Sequence, residues 1–203
     1  MRNGFRRQSG PFASEDAHST GVVKMALPHF HIEGHIYYVT IVVHNRLPLF
    51  TRPSFVIPLY DSLNFYRHKL DFKLLGYVIM PDHVHLILWP FGPATVSDIM
   101  RDYKEFTSTR LIRQAEAEQI EAWTSAFERA GRETGRSQNK VWQDSYWDVN
   151  IYTEAFLRRK LKYLHGNPVR AGLVEKPEDY VYSSCRSYVY GEGWLIEIDR
   201  EWR

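Results

Sequence analysis

The sequence of 203 residues has a single cysteine, Cys185, so no disulfide can form within the chain and a reducing compartment is expected. It also lacks a long hydrophobic run. The longest, Leu86–Phe91, is far shorter than the roughly 20 residues that a membrane-spanning helix needs. The segment Met1–Ser19 contains no apolar stretch of the kind that signal peptides carry. These absences predict a cytoplasmic protein that does not associate with membranes.

The sequence also lacks a large excess of either charge. Its 26 Lys and Arg residues are balanced by 24 Asp and Glu residues, which gives a net charge of +2. Composition alone therefore does not indicate a nucleic-acid-binding protein, and such a function has to be argued from local residues. A hydrophobic fraction of 44% is typical of a globular domain. We expect a flexible N-terminal tail over residues 1–28, a domain over 29–168 with an insertion or loop at 115–140, and a C-terminal tail over 169–203 packed on the domain.

Runs of β-branched and aromatic residues predict three strands, Ile36–His44, Phe72–Met80 and His83–Trp89. The remaining predicted elements are helices over Pro53–His68, Val96–Gln114 and Thr153–Gly166, a helical continuation over Ala115–Ala130, a mobile loop over Gly131–Lys140 and a strand-like arm over Val141–Tyr152. The order β-α-β-β-α-β of the first six elements is that of the α+β, ferredoxin-like split β-α-β sandwich. Such a sheet has one open face, and the extra C-terminal helix is expected to cover part of it.

Two histidines lie two residues apart on the third predicted strand. Side chains alternate along a strand, so His83 and His85 share one face while the apolar residues beside them face the core. That core-facing set is Val84, Leu86 and Leu88. Neutral imidazole is the commonest protein ligand of transition metals, so the pair can chelate one ion. Two half-buried histidines without a metal are the alternative.

The predicted helix Thr153–Gly166 has an apolar stripe and a basic surface. The stripe, which is spaced to dock the helix on the sheet, consists of Leu157, Leu161 and Leu164. Tyr163 and Asn167 are four residues apart, hence one helical turn apart. The cations around them are Arg158, Arg159, Lys160 and Lys162. An amphipathic surface helix with a solvated basic side is the alternative interpretation.

The two segments together suggest phosphoryl transfer. A tyrosine hydroxyl, with a pKa of about 10, is a poor nucleophile at neutral pH unless its target is strongly electrophilic. A metal held by the histidine pair can act as a Lewis acid on a phosphodiester oxygen, and Asn167 can place its amide oxygen on the same ion while Tyr163 attacks. Basic side chains would hold the DNA backbone, and the candidates are Arg158, Arg159 and Lys162 on this helix and Lys104 on the preceding one. A solvated helix face is the alternative for Lys104.

Two segments resemble a known family. Tyr77–Leu88, which reads Tyr-Val-Ile-Met-Pro-Asp-His-Val-His-Leu-Ile-Leu, resembles the HUH signature (His, hydrophobic, His) of the single-tyrosine transposases of the IS200-like class. Tyr163–Val174 resembles the REP-associated tyrosine transposase branch, since the mobile enzymes usually carry Gln where Asn167 stands. The resemblance extends over about Leu27–Tyr190, and the insertion at 115–140 is longer than it leads us to expect.

The resemblance implies that Tyr163 forms a 5′-phosphotyrosine link with DNA, and that His83, His85 and Asn167 bind Mg²⁺ or Mn²⁺. The implied substrate is single-stranded DNA folded into a hairpin within palindromic repeats, and the implied location is the cytoplasm, at the nucleoid. The resemblance leaves a monomer and a homodimer both open.

Three other functions compete with this one. A histidine-triad nucleotide hydrolase needs a third histidine where Ile87 stands. An H-x-H amidohydrolase is usually a barrel of about 250 residues, longer than this chain. A hairpin-binding protein with weak or no catalysis is the alternative from a different class, and it predicts no covalent adduct with DNA.

The local sequence also predicts whether several single residues are buried or exposed. We expect His165 at the surface, Cys185 as a packed small residue and Asp82 in the turn before the third strand. The three tryptophans expected in the core rather than as stacking platforms for bases are Trp142, Trp147 and Trp194.

Overall fold

The computed structural model describes residues 34–135, 137–191 and 195–200, so the predicted tail at 1–28 and Trp194 lie outside the described residues. The strands are β1 (Ile36–Val42), β2 (Phe72–Met80), β3 (His83–Pro90) and β4 (Trp147–Ile151). The helices are α1 (Pro53–Lys69), α2 (Val96–Ala117), α3 (Glu121–Thr134), α4 (Glu154–His165), α5 (Asn167–Arg170) and α6 (Cys185–Tyr190). None of these helices is long and apolar enough to cross a membrane.

The four strands form one antiparallel sheet in the order β2-β3-β1-β4. Strands β1 and β2 are joined through α1 and run in the same direction, with β3 inserted between them, which is the split β-α-β arrangement. The predicted α+β, ferredoxin-like fold is therefore confirmed. In this register Thr40 of β1 lies between His85 of β3 and Trp147 of β4.

The two faces of the sheet bury different sets of side chains. Helices α1 and α2 cover one face, where Val84, Leu86 and Leu88 of β3 join the larger core cluster. Helix α4 crosses the other face, and the predicted leucine stripe packs there in a second cluster. The stripe residues Leu157, Leu161 and Leu164 are all buried. The predicted division of β3 into a core face and a histidine face is thus confirmed.

Gly76 of β2 allows α4 to approach the sheet closely. A Cβ atom at this position would lie 2.9 Å from Cδ2 of Leu161, closer than real Cβ atoms approach other heavy atoms. A side chain here would force the end of the Leu161 side chain to move. The pairing of β2 with β3 is also irregular at this point, between Leu74 and Gly76.

The segment predicted as an insertion is more ordered than expected. The helix predicted over Ala115–Ala130 is broken, because α2 ends at Ala117 and Gln119 takes a positive φ of 53° before α3 begins. Helix α3 then runs to Thr134, into the stretch predicted as a mobile loop, because Phe127 buries its ring in the larger core cluster. Hydrophobic burial, rather than helix propensity, fixes its position.

Strand β4 is shorter than the predicted strand-like arm. Of the predicted arm Val141–Tyr152, only β4 pairs regularly, while Trp142 makes an isolated bridge with Val43 and is buried as expected.

Helix α4 is followed directly by the short helix α5. Pro168 occupies the first turn of α5, where its missing N–H costs no hydrogen bond. The chain therefore continues in helical geometry past the predicted end of α4.

His165 is buried, so the prediction that it lies at the surface is wrong. Its Nε2 lies 2.9 Å from Oγ of Ser184, and that hydroxyl also accepts the backbone N–H of Tyr77 in β2. Tyr188 of α6 packs its ring 5.4 Å from the imidazole. The end of α4 is thereby tied to the sheet and to the C-terminal segment.

We expect the stability of the protein to fall in acid partly through His165. Burial lowers the pKa of His165 to about 4. Because the unfolded chain takes up this proton at a higher pH than the folded chain, the free energy of unfolding should fall as the pH drops from about 6.5 towards about 4. The stabilisation is fully present above about pH 6.5.

The variant His165→Gln isolates this contribution, since the amide can still bond to Ser184 but does not titrate. Urea unfolding at about pH 7.5 and about pH 4.5 should show a smaller loss of stability in the variant, by up to roughly 3 kcal/mol. Burial lowers the pKa of His85 as well, so both proteins should lose stability in acid through that residue. The effect of His165 is therefore the difference between the losses of the two proteins. Equal losses in both proteins would contradict the prediction.

Candidate active site on the open face of the sheet

The two histidines of β3 lie side by side on the face that α4 partly covers. Their ring centroids are 4.8 Å apart, and the rings are nearly perpendicular. In each ring Nδ1 already has a partner: Oδ1 of Asp82 lies 2.5 Å from Nδ1 of His83, and Oγ1 of Thr40 lies 2.7 Å from Nδ1 of His85. When Nδ1–H donates to such a partner, Nε2 keeps a free lone pair, which is the form in which imidazole binds a metal.

Electrostatics keep His85 suited to ligation at neutral pH. Burial, and after it the neighbouring His83, lowers the pKa of His85 to about 3, so this ring is neutral. Burial works against the charge of Asp82, but the hydrogen bonds from His83 and Arg46 lower the pKa of this carboxyl. The prediction that Asp82 serves the turn therefore covers only half of its role, because its carboxylate also orients an imidazole.

Tyr163 projects from the last turn of α4 and remains 49% exposed. Two cations flank its ring. The guanidinium carbon of Arg170 lies 4.2 Å from the ring centroid, and the ammonium of Lys160 lies 5.7 Å from it. Arg170 also donates a 2.6 Å hydrogen bond to the backbone oxygen of Tyr163. The exposed phenol and the two cations beside its ring are placed to meet a phosphate.

Asn167 is fixed by the end of the same helix. Its Nδ2 donates to the backbone oxygens of Tyr163 and Leu164, at 3.2 and 3.1 Å. These two bonds leave the amide oxygen as the acceptor of this side chain. This geometry follows from the four-residue spacing that the sequence showed.

Tyr38 of β1 connects the histidine pair to the tyrosine helix. Its ring centroid lies 5.4 Å from that of His85 and 6.1 Å from that of Tyr163. Its hydroxyl is buried without a hydrogen bond, and burial raises the pKa of this phenol, while the nearby Asn167 side chain lowers it. His85, Tyr163 and Asn167 thus all lie close to Tyr38, on the face of the sheet that carries the histidine pair.

The basic residues predicted to contact DNA are divided between two sides of the sheet. On α4, Arg159 and Lys162 are exposed, whereas Arg158 is held by Glu154 at 2.6 Å. Lys104 belongs to α2, on the opposite side of the sheet, where its ammonium donates to the backbone oxygens of Gln143 and Asp144. The structure therefore does not bring Lys104 to this site.

Sequence reasoning missed Tyr38, Thr40 and Arg170. Tyr38 and Thr40 are two residues apart and share one face of the first strand. If that strand is paired with the histidine strand, this spacing predicts that both side chains lie on the same face as the histidines. Arg170 is seven residues after Tyr163, the spacing of two helical turns. It was overlooked because the sequence predicted that the helix would end at Pro168.

Two curated proteins are similar in sequence to this chain. A Haemophilus influenzae protein named "Putative REP-associated tyrosine transposase" is 27% identical over 173 residues, which covers 80% of this chain and 88% of that protein. An Escherichia coli K12 protein named REP-associated tyrosine transposase is 21% identical over 158 residues, covering 76% of this chain and 79% of its own length.

One solved structure shares the fold. It is described as a REP-associated tyrosine transposase bound to a REP hairpin, and it aligns with a TM-score of 0.61 at 18% identity over 87% of this chain and 93% of that one. The profile of the family "Transposase IS200 like" matches residues 31–166, which contain the histidine pair and Tyr163. The chain therefore belongs to the IS200-like transposase family.

Proposed function

We propose that this protein cleaves and rejoins single-stranded DNA beside a hairpin, with Tyr163 as the nucleophile. The observation that carries the proposal is the exposed phenol of Tyr163 on the same sheet face as a histidine pair whose Nδ1 atoms are both occupied. The family supports a transposase, and the hairpin bound by the similar solved structure supports this class of substrate.

The reaction begins with attack of the Tyr163 hydroxyl oxygen on a phosphodiester phosphorus. The new O–P bond forms as the bond to the 3′ oxygen breaks, giving a 5′-phosphotyrosine and a free 3′-hydroxyl. The proton of the phenol leaves to solvent, and the departing 3′ oxygen gains one. Attack by a 3′-hydroxyl on the phosphotyrosine reverses these steps and rejoins strands without an external energy source, since the covalent link preserves the bond energy.

The residues of this chain support each part of that exchange. Arg170 and Lys160 lie against the Tyr163 ring, so their charges favour the negative phosphate that the phenol meets. Arg159 and Lys162, exposed on α4, are placed to hold the adjoining DNA backbone. Lys104 has no part in this proposal because its ammonium is occupied on the other side of the sheet.

The donor set fits a divalent metal. Among the described residues no group of three His, Cys, Asp or Glu side chains forms a metal site. The amide oxygen of Asn167 would join His83 and His85 as the third ligand, because its Nδ2 atom is already engaged with the helix. Two imidazoles and one amide oxygen suit Mn²⁺ or Mg²⁺ with water completing the shell. The bound ion would act as a Lewis acid on the phosphate.

The covalent step predicts a DNA adduct on Tyr163. When the protein is incubated with Mn²⁺ and labelled hairpins from palindromic repeats beside its gene, an adduct that survives denaturing electrophoresis should form. Tyr163→Phe should reduce the adduct at least about a thousandfold while keeping the gel shift of the hairpin, because only the nucleophilic oxygen is removed.

Tyr152→Phe is the matched control, since this tyrosine is even more exposed but lies outside the site. It should form as much adduct as the wild type. An adduct on Tyr163→Phe would mean that another residue is the nucleophile. If the wild type binds hairpins but forms no adduct with any divalent metal, the protein is a hairpin-binding protein without cleavage.

The metal site predicts that His83→Ala loses Mn²⁺ binding, measured by titration calorimetry, and loses cleavage while keeping the hairpin gel shift. Asp82→Asn should weaken Mn²⁺ binding by about 10–100-fold, because the carboxylate orients His83 without touching the ion. His68→Ala, an exposed histidine on α1, is the control and should bind Mn²⁺ as the wild type does. Unchanged binding in His83→Ala would remove His83 from the site.

A further inference from the structure

A patch of aromatic side chains next to Tyr163 surrounds a single ammonium group. The ammonium of Lys160 lies 5.0 Å from the ring centroid of Tyr38, 5.5 Å from Trp147, 5.5 Å from Phe156 and 5.7 Å from Tyr163. We call these five residues the aromatic patch. They come from β1, from the edge strand β4 and from α4, so only the folded chain brings them together.

Lys160 has no acidic partner among the residues that the structure describes. Its contacts there are the four rings, and partial burial lowers the pKa of its ammonium. Cation–π contacts replace only part of the lost hydration of an ammonium. A partly desolvated cation beside a nucleophile that attacks phosphodiesters is therefore suited to an anionic ligand.

Trp147 supplies a flat apolar surface beside this charge. Contrary to the expectation of a core position, its side chain is 57% exposed. Lys160 lies over the indole ring, and Tyr38 meets it in a T-shaped contact with the centroids 6.3 Å apart. Trp147 is not itself a member of the second core cluster, although Tyr38, which it contacts, is one. An exposed indole next to a cation is the combination with which proteins bind single-stranded nucleic acids.

The position of Trp147 relates it to the reacting phosphate. In the sheet, Trp147 of β4, Thr40 of β1 and His85 of β3 lie directly across from one another. Two strand spacings separate Trp147 from His85, which places their backbones about 10 Å apart. A base on Trp147 would then belong to a nucleotide close to the phosphate that Tyr163 attacks.

We propose that the aromatic patch binds the single-stranded nucleotide that adjoins the cleaved phosphate, with its base stacked on Trp147 and its backbone phosphate on Lys160. This inference rests on the proposed function and adds a defined place for the unpaired flank of the hairpin. Stacking accepts every base, so the patch fixes the position of the strand and not its sequence.

The test compares the affinity for a hairpin with and without a single-stranded tail, by fluorescence anisotropy without added metal. In the wild type the tail should increase affinity. Trp147→Ala should remove about tenfold of that gain, equivalent to about 1.4 kcal/mol, and leave the affinity for the tailless hairpin unchanged, and Lys160→Ala should remove a similar share of the gain. Trp147→Tyr, which keeps a stacking ring, should retain most of the gain.

The chain offers a matched control pair on the opposite layer. Phe65 on α1 is 55% exposed, and the ammonium of Lys69 lies 5.8 Å from its ring. Phe65→Ala and Lys69→Ala should therefore leave the contribution of the tail intact. Quenching of tryptophan fluorescence by oligothymidylate gives a second measurement that needs no hairpin, and Trp147→Phe should abolish most of it.

The outcomes separate the two proposals. If the hairpin binds but the tail adds nothing, or if its gain survives in Trp147→Ala and Lys160→Ala, the patch proposal is wrong and the proposed function stands. If hairpins do not bind but oligothymidylate quenches Trp147, the patch proposal stands and the hairpin substrate is wrong. If neither probe binds, both proposals are wrong.

Discussion

The docking of helix α4 on the open face of the sheet is the constraint on which the site depends. The helix is held by its buried leucines, by the close approach at Gly76 and by the hydrogen bond of His165 to Ser184. Tyr163 lies between Leu161 and Leu164 in the same helix. Burial of these leucines against the sheet therefore also fixes the position of Tyr163. A rigid helix provides the precision that a reaction at one phosphorus atom requires.

A second layer of contacts prepares side chains for their proposed roles. Thr40 and Asp82 occupy one nitrogen of each histidine, and helix carbonyls occupy the amide nitrogen of Asn167. In each case the atom left over is a lone-pair donor. These three atoms are the potential ligands of the proposed cation, which they would hold without a cluster of carboxylates that would repel DNA.

Some basic side chains of the protein are paired with carboxylates, and others lie against aromatic rings. Arg158 and Arg101 are paired with neighbouring carboxylates on their own helices. Lys160 and Arg170 instead lie against the Tyr163 ring. A net charge of only +2 is therefore compatible with a strongly basic site, because what matters is where positive charges lack acidic partners rather than how many there are.

Local periodicity determined much of this protein. A period of two put His83 and His85 on one face, a period of 3.6 put Asn167 one turn from Tyr163, and the order of elements gave the sheet. These are short-range relations, which a sequence shows directly. The tertiary structure alone decided which strands meet, and so placed Tyr38, Thr40 and Trp147 around the site. It also buried His165 and turned Lys104 away, because strand register and the layer that a helix covers are set by contacts between residues far apart in the chain.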